Sequence, residues 1–229
     1  MNRIRVMSAG AVEGPVTELA PKFTQAKGCD VELNFNTVGA LKQRFTGGEK
    51  TDVIILSFSA IEALESENRV AAASRTDLGL ATCGVAVRDG MMMPSIATVD
   101  GFKRMLNFAV SIAANDPAHG GSSGIYLADL LKRMGLYDEI MPKMKLYKTG
   151  RECALALVRG EAEIGITFTS EFIAVPGARV VGVLPQEIAY VNGYAGAMAK
   201  DAATAPSQAF LSFLTEPESR ACFQRFGLG

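Results

Sequence analysis

Two apolar stretches decide how this chain folds: TCGVAV at residues 82–87 and AYVNGYAGAM at residues 189–198. A series of strand and helix patterns precedes the first stretch, and a second series lies between the two. No tract rich in Pro, Gly and Ser separates the series, so neither stretch reads as a flexible linker. The simplest path leaves a first lobe near residue 82 and returns to it through residues 189–198. We therefore predict one lobe from residues 1–81 and 196–229, and a second from residues 82–195.

Strand and helix patterns alternate within both series. Residues 4–7 form a strand candidate, and Val16, Leu19, Ala20 and Phe23 then recur at helical spacing. Further strands are predicted at 31–35, 52–56, 108–112 and 163–168, and further helices at 40–45, 99–106, 125–134, 152–158, 207–214 and 217–226. Such alternation predicts an α/β fold with mostly parallel sheets.

Composition excludes several classes of function. The 229 residues are 48% hydrophobic and carry a formal net charge of -1, so no global positive field would attract nucleic acid or anionic lipid. No apolar run reaches the roughly 18 residues of a membrane span, which predicts no direct membrane insertion. The start, residues 1–6, has no apolar leader core, so we expect a cytoplasmic protein as the sequence stands, or a periplasmic one if a leader is removed.

The four cysteines are scattered along the chain at positions 29, 83, 153 and 222, without the close Cys or His pairs of a zinc site. We expect four separate reduced thiols, no metal site and no cofactor.

Five short runs occur in a fixed order along nearly the whole chain. They are IRVMSAGA (4–11), TDVIILS (51–57), NDP with GIY (115–117 and 124–126), ALALV with EIGI (154–158 and 163–166), and FQRFG (223–227). In this order they resemble the molybdate-binding proteins of ABC transporters. The resemblance implies a periplasmic-binding-protein type 2-like fold, with two α/β lobes, a ligand cleft and two crossover segments.

The cleft of such a fold binds an anion through the first N–H groups of helices, which have no partner within the helix, and through a few hydroxyls. Four strand-to-helix turns are candidates to face it. The candidate ligand-binding residues are Ala9, Gly10, Ala11, Thr37, Val38, Gly39, Ser122, Ser123, Gly124, Thr149, Arg151 and Phe168.

Three hydroxyl donors implied by the resemblance are absent from this sequence. The first serine position aligns on Ala11, the second on Val38 or Gly39, and the tyrosine position on Phe168. A lost donor in a dry site costs about 1–3 kcal/mol. We therefore expect weak binding of molybdate and tungstate, and binding of a carboxylate through the helix-opening turns and Ser122 or Ser123.

Charged residues near these turns allow more than one interpretation. His119 is the only histidine and a weak catalytic candidate, although a loop histidine is more often a bystander. Arg151 either clamps an anion or pairs with Glu152. Glu13 and Glu171 would repel an anion, so we expect both to point outward or to cap a helix.

Two functions stay open at this point. One is a solute-binding protein for a small anion or organic acid, with the membrane components of an ABC transporter as partners. The other is a cytoplasmic enzyme on the same fold, such as an isomerase, dehydratase or decarboxylase of a small organic acid. Fold alone does not separate them.

Overall fold

The structure, a computed structural model, describes residues 2–229 and divides into two compact α/β units. Unit 1 contains Met1–Ala81 and Asn192–Gly229, and unit 2 contains Thr82–Val191. The chain passes from unit 1 to unit 2 within one long strand and returns at the start of another. The α/β class expected from the alternating patterns is confirmed.

Nine strands and ten α-helices alternate along the described residues. In chain order they are β1 (Asn2–Ala9), α1 (Glu13–Lys27), β2 (Cys29–Asn36), α2 (Val38–Thr46), β3 (Val53–Ser57), α3 (Phe58–Ser66), β4 (Thr76–Arg88), α4 (Val99–Phe108), β5 (Ile112–Asn115), α5 (Ser122–Arg133), α6 (Tyr137–Ile140), β6 (Met144–Tyr147), α7 (Gly150–Val158), β7 (Ile164–Phe168), α8 (Thr169–Ile173), β8 (Ala178–Val183), β9 (Val191–Met198), α9 (Ala205–Phe213) and α10 (Pro217–Arg225).

The sheet of unit 1 has the strand order β2-β1-β3-β9. Strand β1 runs parallel to both of its neighbours, with Ala9 opposite Asn36 on β2 and Ser8 opposite Ile55 on β3. Strand β9 pairs with β3 in the antiparallel direction. The carboxyl ends of β1, β2 and β3 therefore lie along one edge of this sheet, where α/β proteins place their ligands.

The two C-terminal helices belong to unit 1 and pack on α1. The Phe23 ring, fully buried on α1, lies 5.1 Å from the ring of Phe210 in an edge-on contact and 5.5 Å from that of Phe213. At the surface, Arg225 of α10 donates to the Glu18 carboxylate at 2.8 Å. These contacts tie the two ends of the chain into one core.

The sheet of unit 2 contains β4, β7, β5 and β6 as successive neighbours, and β8 also pairs with β4. Strands β6, β5 and β7 are parallel, with Asn115 opposite Tyr147 and Ala114 opposite Ile166. Strand β4 runs antiparallel to β7, with Cys83 opposite Phe168. The carboxyl ends of β5, β6 and β7 thus share one edge, as in unit 1.

Some expected boundaries differ from the observed ones. The strand predicted at residues 82–87 extends over Thr76–Arg88, and the helix predicted at residues 125–134 begins three residues earlier, at Ser122.

The four cysteines are free and buried, which confirms the expectation of separate thiols. Among the described residues, no helix has both the length and the apolar character needed to cross a bilayer.

Candidate ligand-binding site

In unit 1 the predicted residues meet at the strand-end edge. Strand β1 ends at Ala9, and a single 3-10 turn over Gly10–Val12 leads into α1, with the Ala11 side chain buried. Directly after the neighbouring strand β2, Thr37 caps α2 by accepting a hydrogen bond from the N–H of Ala40 at 3.3 Å. Val38 and Gly39 form the first turn of that helix.

A further hydroxyl at this edge, on Ser57, was missed by sequence reasoning. Ser57 ends β3, caps α3 through the N–H of Ala60 at 3.4 Å, and lies 3.4 Å from the hydroxyl of Ser59. It is opposite Tyr194 in the register of β9. The signal was present in the sequence, because a serine directly after a buried strand is a common helix N-cap.

In unit 2, Ser122, Ser123 and Gly124 form the first turn of α5. Only glycine fits at position 124, because a Cβ there would overlap the backbone carbonyl of Asn115 at the end of β5. The helix therefore starts directly against the strand-end edge. Phe168 ends β7 at the same edge, and its side chain is buried.

The start of α7 is held by a capping box. The Thr149 hydroxyl accepts from the N–H of Glu152 at 3.2 Å, and the Glu152 carboxylate accepts from the N–H of Thr149 at 3.2 Å. Arg151 lies between them in the chain with its side chain exposed. The carboxylate of Glu152 is thus engaged with the backbone of the helix start.

A chain of buried hydroxyls links α5 to β7 and α8. The Ser123 hydroxyl lies 2.9 Å from that of Thr167, and the Thr167 hydroxyl donates to the carboxylate of Glu171. All three side chains are buried, Glu171 being only 5% exposed. Of the two expectations for Glu171, pointing outward or capping a helix, the outward one is wrong, because the Thr167 hydroxyl gives its buried carboxylate a polar partner inside the unit.

Glu171 also lies directly against the start of α7. A Cβ at position 150 would overlap the Glu171 carboxyl group, so the glycine allows the close approach.

Burial raises the pKa of the Cys83 and Cys153 thiols, and the nearby Glu171 raises both further. Neither thiol is therefore a reactive thiolate at neutral pH.

An aromatic stack covers Phe168. The Tyr190 ring stacks on Tyr126 at a centroid distance of 4.3 Å and an interplanar angle of 5°, and on Phe168 at 5.8 Å and 27°. The Tyr126 hydroxyl donates to the carbonyl of Ile188 at 2.8 Å, whereas the Tyr190 hydroxyl is hydrogen-bonded to the side chain of Ser122. Tyr190 was missed because residues 189–198 were interpreted only as a crossover.

His119 lies in the loop between β5 and α5, at the end of a 3-10 turn over Pro117–His119. Its Nδ1 is 3.0 Å from the Asp116 carboxylate, and the side chain is 44% exposed. Asp116 in turn accepts from the N–H of Ala118 at 2.9 Å. The imidazole is therefore paired locally and is not part of the buried hydroxyl chain.

Each edge can thus offer helix-opening N–H groups and side-chain hydroxyls to an anion. In unit 1 these come from the turns after β1, β2 and β3, and in unit 2 from the starts of α5 and α7. Within residues 2–229, no group of three or more His, Cys, Asp or Glu side chains is placed to hold a metal ion.

Known proteins resemble this chain over nearly its whole length. An aconitate isomerase from a Pseudomonas species is 32% identical over 232 residues, covering 98% of this chain and 87% of that protein. The molybdate-binding protein ModA of Escherichia coli strain K12 is 28% identical over 229 residues, covering 98% of this chain and 88% of that protein. The expected resemblance to molybdate-binding proteins is confirmed.

Among solved structures, the periplasmic molybdate-binding protein of Azotobacter vinelandii aligns with a TM-score of 0.81 at 18% identity, covering 99% of this chain and 98% of that chain. This likeness confirms the periplasmic-binding-protein type 2-like fold. A family model described as bacterial extracellular solute-binding protein matches residues 4–229. The chain therefore belongs to the bacterial extracellular solute-binding protein family.

Proposed function

We propose that this protein binds a small organic carboxylate, and not molybdate, at the strand-end edges of its units. The observation that carries the proposal is the pair of buried apolar side chains, Ala11 and Phe168, at positions where the molybdate-binding resemblance implies hydroxyls. Two lost donors cost about 1–3 kcal/mol each, which weakens molybdate binding by roughly 30-fold or more. The helix-opening N–H groups do not depend on these side chains and stay available to a carboxylate.

The remaining hydroxyls suit a ligand of different shape. Thr37 caps α2 and Ser57 caps α3 in unit 1, and Ser122 opens α5 in unit 2. A tetrahedral oxyanion needs its donors gathered around one centre, whereas the carboxylate groups of a larger organic acid can meet donors at separate places. We therefore favour an acid with more than one carboxylate.

Membership of the family implies a small anion as ligand and membrane components of an ABC transporter as partners. As a transport receptor, this protein would work in the periplasm and deliver its carboxylate to such components.

A second candidate function is the isomerisation of an unsaturated organic acid. The 32% identity with an aconitate isomerase over 98% of this chain favours it. An isomerase of this kind would not need a transporter and would work in the cytoplasm. Proton NMR of cis-aconitate incubated with the protein separates the two functions, because a receptor leaves the spectrum unchanged and an isomerase produces trans-aconitate.

A thermal-shift screen tests the proposal. The panel contains molybdate, tungstate and sulfate on one side, and citrate, cis-aconitate and trans-aconitate on the other. A ligand at 100 times its dissociation constant stabilises the folded protein by about 2.7 kcal/mol, which is a measurable rise in melting temperature. We expect a rise with at least one carboxylate and none with the oxyanions. A rise with molybdate alone would contradict the proposal.

Replacing the lone histidine is expected to have a small effect. His119→Ala should leave the affinity for a bound carboxylate within about tenfold of wild type, because a neutral hydrogen bond contributes only about 0.5–1.5 kcal/mol. Isothermal titration calorimetry measures this change. If the protein turns over cis-aconitate, and His119→Ala lowers the rate by about 100-fold or more without weakening binding, then His119 moves protons and its assignment as a bystander fails.

A further inference from the structure

We propose that Tyr190 is the residue of unit 2 that donates a hydrogen bond to a carboxylate oxygen of the ligand, and that Ser122 positions its hydroxyl. This inference rests on the proposed function. It identifies a carboxylate donor beside Phe168, on a different residue from the position where the resemblance implies a hydroxyl.

The position of Tyr190 supports this role. Its ring stacks on Phe168, the last residue of β7, so the phenol lies at the carboxyl end of that strand. The second stacking contact, with Tyr126 on α5, fixes the ring from another element. A ring held by two aromatic contacts presents its hydroxyl in one place, which reduces the entropy lost when a ligand binds.

The protonation of Tyr190 is suited to donation. Burial raises the pKa of its phenol above the ordinary value near 10, and the hydrogen bond with Ser122 acts in the opposite direction. The phenol therefore keeps its proton at neutral pH. Because Ser122 is hydrogen-bonded to the phenol, a ligand oxygen that accepts from the phenol O–H would complete a chain of hydrogen bonds, and such chained bonds strengthen one another.

Neighbouring hydroxyls are engaged elsewhere. The Tyr126 hydroxyl donates to the carbonyl of Ile188, and the Ser123 hydroxyl pairs with Thr167 inside the unit. Tyr190 and Tyr126 are both partly buried, but the Tyr190 hydroxyl is paired with the side chain of Ser122 and not with a backbone carbonyl. A neutral donor in this position favours a carboxylate oxygen, since hydrogen bonds to charged acceptors are the stronger ones.

The test compares two tyrosines of the same stack. Calorimetric titration with trans-aconitate is carried out on wild type, Tyr190→Phe and Tyr126→Phe, each checked for folding by circular dichroism. We expect Tyr190→Phe to bind about 10- to 100-fold more weakly, the loss typical of a hydrogen bond to a charged group. Tyr126→Phe keeps the ring and loses a hydroxyl that faces Ile188, so its affinity should stay within about threefold of wild type.

The positioning role of Ser122 has its own variants. Ser122→Ala should weaken binding by about three- to tenfold, and Ser122→Thr, which keeps a hydroxyl, should restore it. These variants also keep the inference testable if Tyr190→Phe fails to fold.

The outcomes separate this inference from the proposed function. If wild type binds citrate, cis-aconitate or trans-aconitate but Tyr190→Phe binds equally well, the inference is wrong and the proposed function stands. Equal losses of affinity in Tyr190→Phe and Tyr126→Phe would also overturn it. The loss would then come from a disturbed aromatic stack and not from the Tyr190 hydroxyl. If wild type binds none of the three acids, the proposed function fails and the inference fails with it.

Discussion

Phe23→Ala is expected to lower the free energy of unfolding by about 3–5 kcal/mol, the cost of removing a fully buried aromatic side chain. Phe23 is 0% exposed and contacts the rings of Phe210 and Phe213, so its loss leaves a cavity between α1 and α9. Urea denaturation followed by circular dichroism measures the change.

A matched control uses the same substitution at a phenylalanine on the surface. Phe108 ends α4 and is 83% exposed, so Phe108→Ala should change the free energy of unfolding by no more than about 0.5 kcal/mol. If Phe23→Ala behaves like Phe108→Ala, the packing of the C-terminal helices on α1 is not as described.

Gly150→Ala is expected to destabilise the protein by about 1–3 kcal/mol or more, since the new methyl group would overlap the carboxyl of Glu171. Displacing that carboxyl would also break its hydrogen bond with Thr167. The same denaturation experiment measures the effect. Gly182→Ala on β8 is the control, because a Cβ there meets the Ile96 side chain at an ordinary 3.6 Å and should change stability little.

A double-mutant cycle isolates the contact. If the clash with Glu171 is the cause, Gly150→Ala should cost much less in a Glu171→Ala background, where the carboxyl is absent. Equal costs in both backgrounds would show that the alanine acts through the helix backbone alone. The cycle therefore tests whether Glu171 lies against the start of α7.

The sequence predicted two strands that are buried at every position, β3 and β7. It misplaced a third, because β5 spans Ile112–Asn115 whereas the strand was predicted at residues 108–112. Strand β7 is buried at every position, and its apolar run was visible without any structural information. Strand β6 was missed because its four residues are partly exposed and include Lys145. Strand β8 was missed although the apolar residues 180–183 indicated it. Helix α3 was missed although its signals were present, namely the Ser57 cap and buried residues at Ile61 and Leu64.

The candidate ligand-binding edges could be predicted only in part. Turns after parallel strands lie at one edge by geometry, so the candidates of each unit could be grouped from sequence. The stacking of Tyr190 on Phe168 joins residues that are distant in the sequence, so no local sequence pattern could predict it. Glu171 was expected to point outward or to cap a helix, because its charge would repel an anion, yet the hydroxyl of Thr167 and the missing side chain of Gly150 accommodate it inside unit 2.

The most direct test of the central claim is calorimetric titration of the wild-type protein with trans-aconitate and with molybdate under identical buffer conditions. We predict measurable binding of the carboxylate, and molybdate binding weaker by roughly 30-fold or more, because donors are absent at Ala11 and Phe168. A dissociation constant for molybdate below about 1 μM, near -8.2 kcal/mol, together with no heat from trans-aconitate, would contradict it.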